Sequence, residues 1–271
     1  MAIRDIELPA IQRLTRDLRA GVTTLTPKEA RYLVDTYYTM QDYRIEAANQ
    51  VRALSADGEP ATVLAWLFDQ METLEDQVKV ALDRWSDSQP MGRWAMSQYG
   101  IGPVISAGLL AHIDITRAPT AGAIWRYAGL DPTLRWEKGQ KRPWNASLKV
   151  ICWKIGESFV KFSGRDECTY GKVYVQRKAQ EQERNDAGLF ADQAAAALAA
   201  KRIGKDTEAY KHYCAGKLPP AHIHARAKRV AVKLFLSHYH YRAYEQHYGK
   251  PPADPYALAV LGHAHYIEPP D

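Results

Sequence analysis

The sequence predicts a mainly α protein: an N-terminal coiled-coil-like helical hairpin over residues 1–89, then a helical domain over residues 90–271 that contains a helix-hairpin-helix and ends in a docked tail. Three observations predict it. Apolar residues recur at alternating spacings of three and four through long stretches. No stretch keeps the period-two alternation of a strand. Gly100-Ile101-Gly102-Pro103 stands between two short helical patterns, where a more polar turn would serve.

The first helix is predicted from TPKEARYL onward. Thr26 is its cap, Pro27 suits the first helical position, and Glu29 completes a capping box. Its apolar or small positions are Ala30, Leu33, Tyr37, Met40, Ala47, Val51 and Leu54, interrupted by Arg44. After the turn at Ser55–Pro60, Leu64, Leu67, Met71, Leu74, Val78, Ala81 and Trp85 form a second seam with strict three-four spacing. The pair is expected to pack antiparallel. Two such helices rarely make a sufficient domain, so residues 27–87 are also expected to pair two copies into a homodimer.

From residue 90 the elements shorten. MGRWAMSQY, VISAGLLAHI and AGAIWRYAGL are short helices, the last ending on Gly129. DPTLRWEKGQKRPWN is a basic loop or small hairpin. Helical spacing returns at Leu148, Ile151, Cys152, Ile155, Phe159 and Phe162, with Trp153 assigned to the core. A charged helix, an alanine-rich helix closed by Gly204 and a short helix follow. The last long helix starts at Pro219-Pro220 and stops at Gly249.

Composition narrows the function. Hydrophobic content is 46% and charged content 25%, ordinary for a globular chain. No apolar run is long enough to span a bilayer, and MAIRDIELPAIQRL lacks a secretory core. Cys152, Cys168 and Cys214 are well separated, so no disulfide framework is expected and a cytoplasmic location fits. Residues 1–90 carry 10 Lys/Arg against 15 Asp/Glu, whereas residues 91–271 carry 26 against 16. Such asymmetry points the second part toward a polyanion.

The glycine hairpin gives that polyanion a place to bind. Gly100 and Gly102 permit positive φ and close approach, Ile101 turns inward, and amides at Gly102 and Val104 face outward at a helix N-terminus, where the helix dipole favours a phosphate. Lys138, Lys141, Arg142, Lys149 and Lys154 follow with no acidic residue between 138 and 156, interleaved with Trp136, Trp144 and Trp153. Cations hold phosphates and flat rings stack on bases. On the last helix, Arg226, Arg229 and Lys233 share one face at three-four spacing. An ordinary solvated face remains an equal reading of that stripe.

GIGPVISAGLLAHI, followed by AGAIWRYAGLDP and KGQKRP, resembles the C-terminal domain of the insertion-sequence transposases that use a bridge RNA, over residues 95–160. The resemblance implies a DNA-binding module. Those enzymes also carry an N-terminal nuclease domain with four acidic residues on an α/β core, and a nucleophilic serine after the proline of the Tyr-Ala-Gly-Leu-x-Pro segment. Residues 1–90 are helical, and Pro132 is followed by Thr133-Leu134-Arg135-Trp136, with no serine. A non-catalytic relative that holds double-stranded DNA by its backbone is therefore expected. A divergent transposase and a structured-RNA binder are the alternatives. His222/His224, His238/His240 and His263/His265 are His-x-His pairs. On a helix such pairs point apart, so no metal is expected. No phosphate-binding loop or dinucleotide fingerprint occurs, so no cofactor is expected either.

Overall fold

The computed structural model describes residues 13–200, 203–253 and 267–270, except the side chain of Asp17. Among the described residues there are eleven α-helices and no strand. The chain divides into two compact units. One takes Met1–Met96 with Gly102–Asp114, the other Ser97–Ile101 with Ile115–Asp271. The hairpin turn falls in the second unit, and both flanking helices fall mainly in the first.

In the first unit, α1 (Arg16–Gly21) is capped by Thr15 and runs into a 3-10 turn, Val22–Thr24. α2 (Pro27–Ala56) opens on the predicted capping box. The Thr26 hydroxyl accepts the Glu29 amide at 3.3 Å, and the Glu29 carboxylate accepts the Thr26 amide at 2.8 Å. α3 (Thr62–Ser88) returns beside it. Two pairings fix the antiparallel sense. Trp85, late in α3, donates its indole N–H to the Leu25 carbonyl at 3.0 Å, just before α2. Arg44 Nε meets Glu75 Oε2 at 2.6 Å further along.

That ion pair explains why Arg44 interrupts the apolar seam: it answers Glu75, which is buried. Burial raises the Glu75 carboxyl, but the hydrogen bonds and charge of Arg44 outweigh it and its pKa is lowered. α4 (Pro90–Ser97) and α5 (Pro103–His112) complete the unit. α5 is apolar on nearly every side, which requires burial all round. Val104, Ser106, Ala107, Gly108, Leu109, Ala111 and His112 are all buried, and α5 packs against both α2 and α3. Arg31 donates to the Ala111 carbonyl at 2.7 Å.

The second unit is built round its longest helix. Its members are α6 (Ala121–Tyr127), α7 (Ala146–Lys161), α8 (Thr169–Asp186), α9 (Ala191–Ala200), α10 (Glu208–Cys214) and α11 (Pro220–Tyr248). α11 packs against α6, α7 and α8. Pro219 is its N-cap and Gly249 ends it in the left-handed conformation, as the sequence predicts. Phe159, Tyr170 and Phe235 form an aromatic core with ring centroids 4.9–5.7 Å apart.

Three histidines of α11, His224, His238 and His240, are held by hydrogen bonds within the unit. His224 Nδ1 lies 2.8 Å from the Tyr174 hydroxyl, and His238 Nδ1 lies 2.9 Å from that of Tyr170. His238 Nε2 is 2.8 Å from the Ile267 carbonyl, and His240 Nε2 is 2.9 Å from that of Ala118. A carbonyl only accepts, so each Nε2 carries the proton and His238 Nδ1 accepts from tyrosine. Burial lowers the pKa of all three imidazoles and keeps them neutral. The His263/His265 pair and most of the tail lie outside the described residues. The described end, 267–270, is held by polar bonds: besides Ile267, Arg242 donates to the carbonyls of Pro269 and Pro270.

Candidate nucleic-acid interface

The hairpin turn is held tightly from within the second unit. Gly100 has φ +96°, which a side chain would strain, and a Cβ there would sit 3.2 Å from Ser158 Oγ. Ser158 donates to the Gly100 carbonyl. The Cys168 thiol reaches the Tyr99 carbonyl at 3.6 Å, and Tyr99 packs edge-on against Phe162. Ile101 is buried, as expected.

One expectation about this turn needs correction, positive φ at both glycines. Only Gly100 has positive φ; Gly102, the N-cap of α5, is extended at φ −92°, ψ 174°. The Ile101 amide also donates to the Gln98 carbonyl at 2.9 Å, so it is not offered to a ligand. The donors expected for an anion lie at the start of α5. Pro103 has no N–H, the Ser106 amide already bonds Gly102, and no side chain caps the helix. Helix geometry leaves the amides of Val104 and Ile105 without intrahelical acceptors. Val104 is buried as a whole residue, 7% exposed. An added Cβ at Gly102 meets nothing within 4 Å.

In the second unit the basic loop runs from α6 to α7 without forming strands. Its start is fixed by Asp131, whose carboxylate accepts both the amide (2.9 Å) and the hydroxyl (2.7 Å) of Thr133. Those bonds lower the Asp131 pKa. The end of the loop is fixed by Asn145. Its amide N–H donates to the Tyr127 carbonyl at 2.8 Å, its side chain donates to the Tyr127 hydroxyl at 2.9 Å, and its Oδ1 caps α7 through the Leu148 amide.

Between these anchors, Trp136 and Trp144 each carry a cation. Trp136 donates to the Gln140 carbonyl at 2.6 Å, and the Arg142 guanidinium lies 5.1 Å from its ring centre. Trp144 lies on Gly129, where a Cβ would come within 2.7 Å of the indole, and Lys149 Nζ sits 4.1 Å above its ring. Gly129 has φ +66°, so it serves both the helix end and the ring. Lys138, Lys141, Arg142 and Lys149 are all exposed. Among the described residues none of the four pairs with a carboxylate.

The stripe on α11 does not act as one face. Arg226 bonds buried Glu181 at 2.7 Å and Gln193 at 3.1 Å, and Arg177 and Arg184 share the same glutamate. Lys233 lies 4.7 Å from the Trp125 ring centre, partly buried. Arg229 is exposed.

Trp153 is the clearest departure from the sequence reading. It is not core but 53% exposed. The signal was available: with Leu148, Ile151, Cys152, Ile155 and Phe159 inward, position 153 falls roughly 140° from the centre of the apolar face at 100° per residue. Lys228, which pairs with Glu157 of α7, lies beside it.

Among the described residues no three His, Cys, Asp or Glu side chains gather as a metal ion would require, and no described helix is long and apolar enough to cross a membrane. No curated protein and no solved structure matches the chain. A family model does match part of it. Residues 93–140, which run from α4 through the hairpin, α5 and α6 into the basic loop, match the Transposase IS116/IS110/IS902 family, and this part of the chain is transposase-related.

Proposed function

We propose that this transposase-related protein is a non-catalytic DNA-binding protein that grips the phosphate backbone of double-stranded DNA largely without reading sequence. The observation that carries the reading is the loop between α6 and α7 together with the first turn of α7. Four cations, Lys138, Lys141, Arg142 and Lys149, are exposed together and unpaired with carboxylates, two of them over tryptophan rings. The start of α5 adds main-chain donors of the kind that hold a phosphate. Exposed Arg229 is a further contact. Two copies paired through α2 and α3 would double the footprint and raise avidity.

The test is a titration against duplex DNA, single-stranded DNA and RNA over a range of salt. Four neutralised phosphates give a slope of log K against log salt of about −3.6, or roughly a hundredfold loss between 50 and 200 mM salt. Affinity that ignores salt, or binding of RNA alone, overturns the reading. The transposase match favours one alternative, a divergent recombinase, which strand cleavage in added magnesium would reveal.

A further inference from the structure

We infer that the outer face of α7 is a stacking platform for unpaired nucleic-acid bases, with Trp153 as its ring, Lys154 as its phosphate-facing cation and the Glu157-paired Lys228 as the support beside the ring. The inference rests on the nucleic-acid reading above and adds the class of structure bound: a strand with free base faces, not duplex alone.

An indole more than half exposed is a large apolar surface left in water, and nothing in the packing of α7 calls for it there. Trp153 is also not isolated. Val150, one turn earlier, is 49% exposed, and Lys149, four residues earlier on the same side, covers the Trp144 ring. Lys154 Nζ and Lys228 Nζ lie 5.7 and 5.6 Å from the Trp153 ring centre.

A second helix supports the ring. Lys228 belongs to α11, and its stem crosses α7 where Gly156 leaves room. A Cβ on Gly156 would stand 2.6 and 2.8 Å from Lys228 Cγ and Cδ. Glu157 anchors the ammonium, and that pairing offsets the first acidic charge after residue 137. A flat ring flanked by cations, on a face with no uncompensated carboxylate from 138 to 157, suits a nucleotide: a base on the ring, its phosphate at Lys154. Trp136, 44% exposed beside Arg142, repeats the chemistry in the preceding loop. Paired bases hide their faces inside the duplex, so a duplex uses only the cations.

The experiment compares three labelled probes on the full chain by fluorescence anisotropy: a blunt duplex, the same duplex with a single-stranded overhang, and that duplex with an abasic overhang of equal length. The abasic probe keeps the phosphates and removes the rings. The overhang with bases is expected to bind between about 5-fold and about 150-fold more tightly than the abasic one. Trp153→Ala should remove most of that difference, Trp136 keeping the remainder, while leaving blunt-duplex affinity unchanged, and Trp153→Phe should keep more of it than Trp153→Ala. Because Trp153 is exposed, circular dichroism of Trp153→Ala should match the parent. Equal affinity for the two overhangs, with blunt duplex still bound, overturns this inference and leaves the duplex reading standing. Tight binding of the base-bearing overhang without binding of blunt duplex supports it and overturns the duplex reading. No binding of any probe overturns both.

Discussion

Gly102→Glu should weaken DNA binding without unfolding the chain. Gly102 caps α5 in an extended conformation that any residue adopts, and an added Cβ there meets open space. A carboxylate at a helix N-terminus is itself mildly favourable, by about 0.3–1 kcal/mol, so the melting temperature should hold or rise slightly. Binding should respond differently. If a phosphate docks on the Val104 and Ile105 amides, the new carboxylate lies about 5 Å from it. Two like charges at that distance repel by about 0.8 kcal/mol in bulk water and about 3 kcal/mol at an effective dielectric of 20. Losing the attraction of the helix end adds about 0.3–1 kcal/mol. The total, about 1–4 kcal/mol, corresponds to a Kd raised between about 6-fold and about 1000-fold. Gly102→Gln, with the same shape and no charge, should lose far less. Anisotropy titrations at low salt measure both variants, and thermal melts confirm the fold. A folded Gly102→Glu protein that binds like the parent, or a glutamine variant that loses as much as the glutamate, would refute phosphate docking at α5.

Gly129→Ala should destabilise the second unit by about 1–3 kcal/mol, because a left-handed φ disfavours alanine and its methyl would press into the Trp144 indole; urea titration followed by tryptophan fluorescence measures this. Stability should fall as pH drops below about 6.5. Burial, reinforced by the charge of Arg31, pushes the His112 imidazole down to about 4, so the unfolded chain takes up a proton through the 6.5-to-4 window that the folded chain refuses. The gain from His112, present above pH 6.5, is roughly 3 kcal/mol and is lost progressively toward pH 4, with His224, His238 and His240 adding in the same direction. Denaturation midpoints across that range test it, and a flat profile contradicts it. If α2 and α3 pair two copies, then Val63→Lys with Trp66→Lys, at side chains 75% and 60% exposed on α3, should shift sedimentation from dimer to monomer; a parent protein that sediments as a monomer removes the dimer altogether.

Local chemistry was the most legible layer. Thr26, Pro27 and Glu29 announced the start of α2, and Pro219, Pro220 and Gly249 bounded α11, because caps and breakers act within a turn of themselves. The all-round burial of α5 could be read from its unbroken run of small and apolar residues. Partners distant in sequence could not. Arg44 looked like an interruption until Glu75 was placed opposite it, and Arg226 looked like a free cation until α8 supplied Glu181. The spacing of the histidine pairs on a helix argued against a shared metal, but it did not reveal the partners of His224, His238 and His240, because Tyr170, Tyr174, Ala118 and Ile267 come from other elements. In the candidate interface, the loop cations were legible because charge runs without compensation stay at the surface. Trp153 was misassigned because hydrophobic identity outweighed its angle on the helix.

The place of α11 in the chain has a consequence for biosynthesis. It follows every helix that it packs against, from α6 onward, so those helices emerge from the ribosome before their common support exists. At about 5–20 residues per second, the interval between the start of α6 and the end of α11 is about 6–25 s. During that time the faces later covered by Phe235, Leu236 and Tyr239 are open to chaperones and to neighbouring nascent chains. The first unit, whose helices are all complete by residue 114, has no such delay, so a truncated product that stops before α11 should keep a folded front half and a sticky, protease-sensitive remainder.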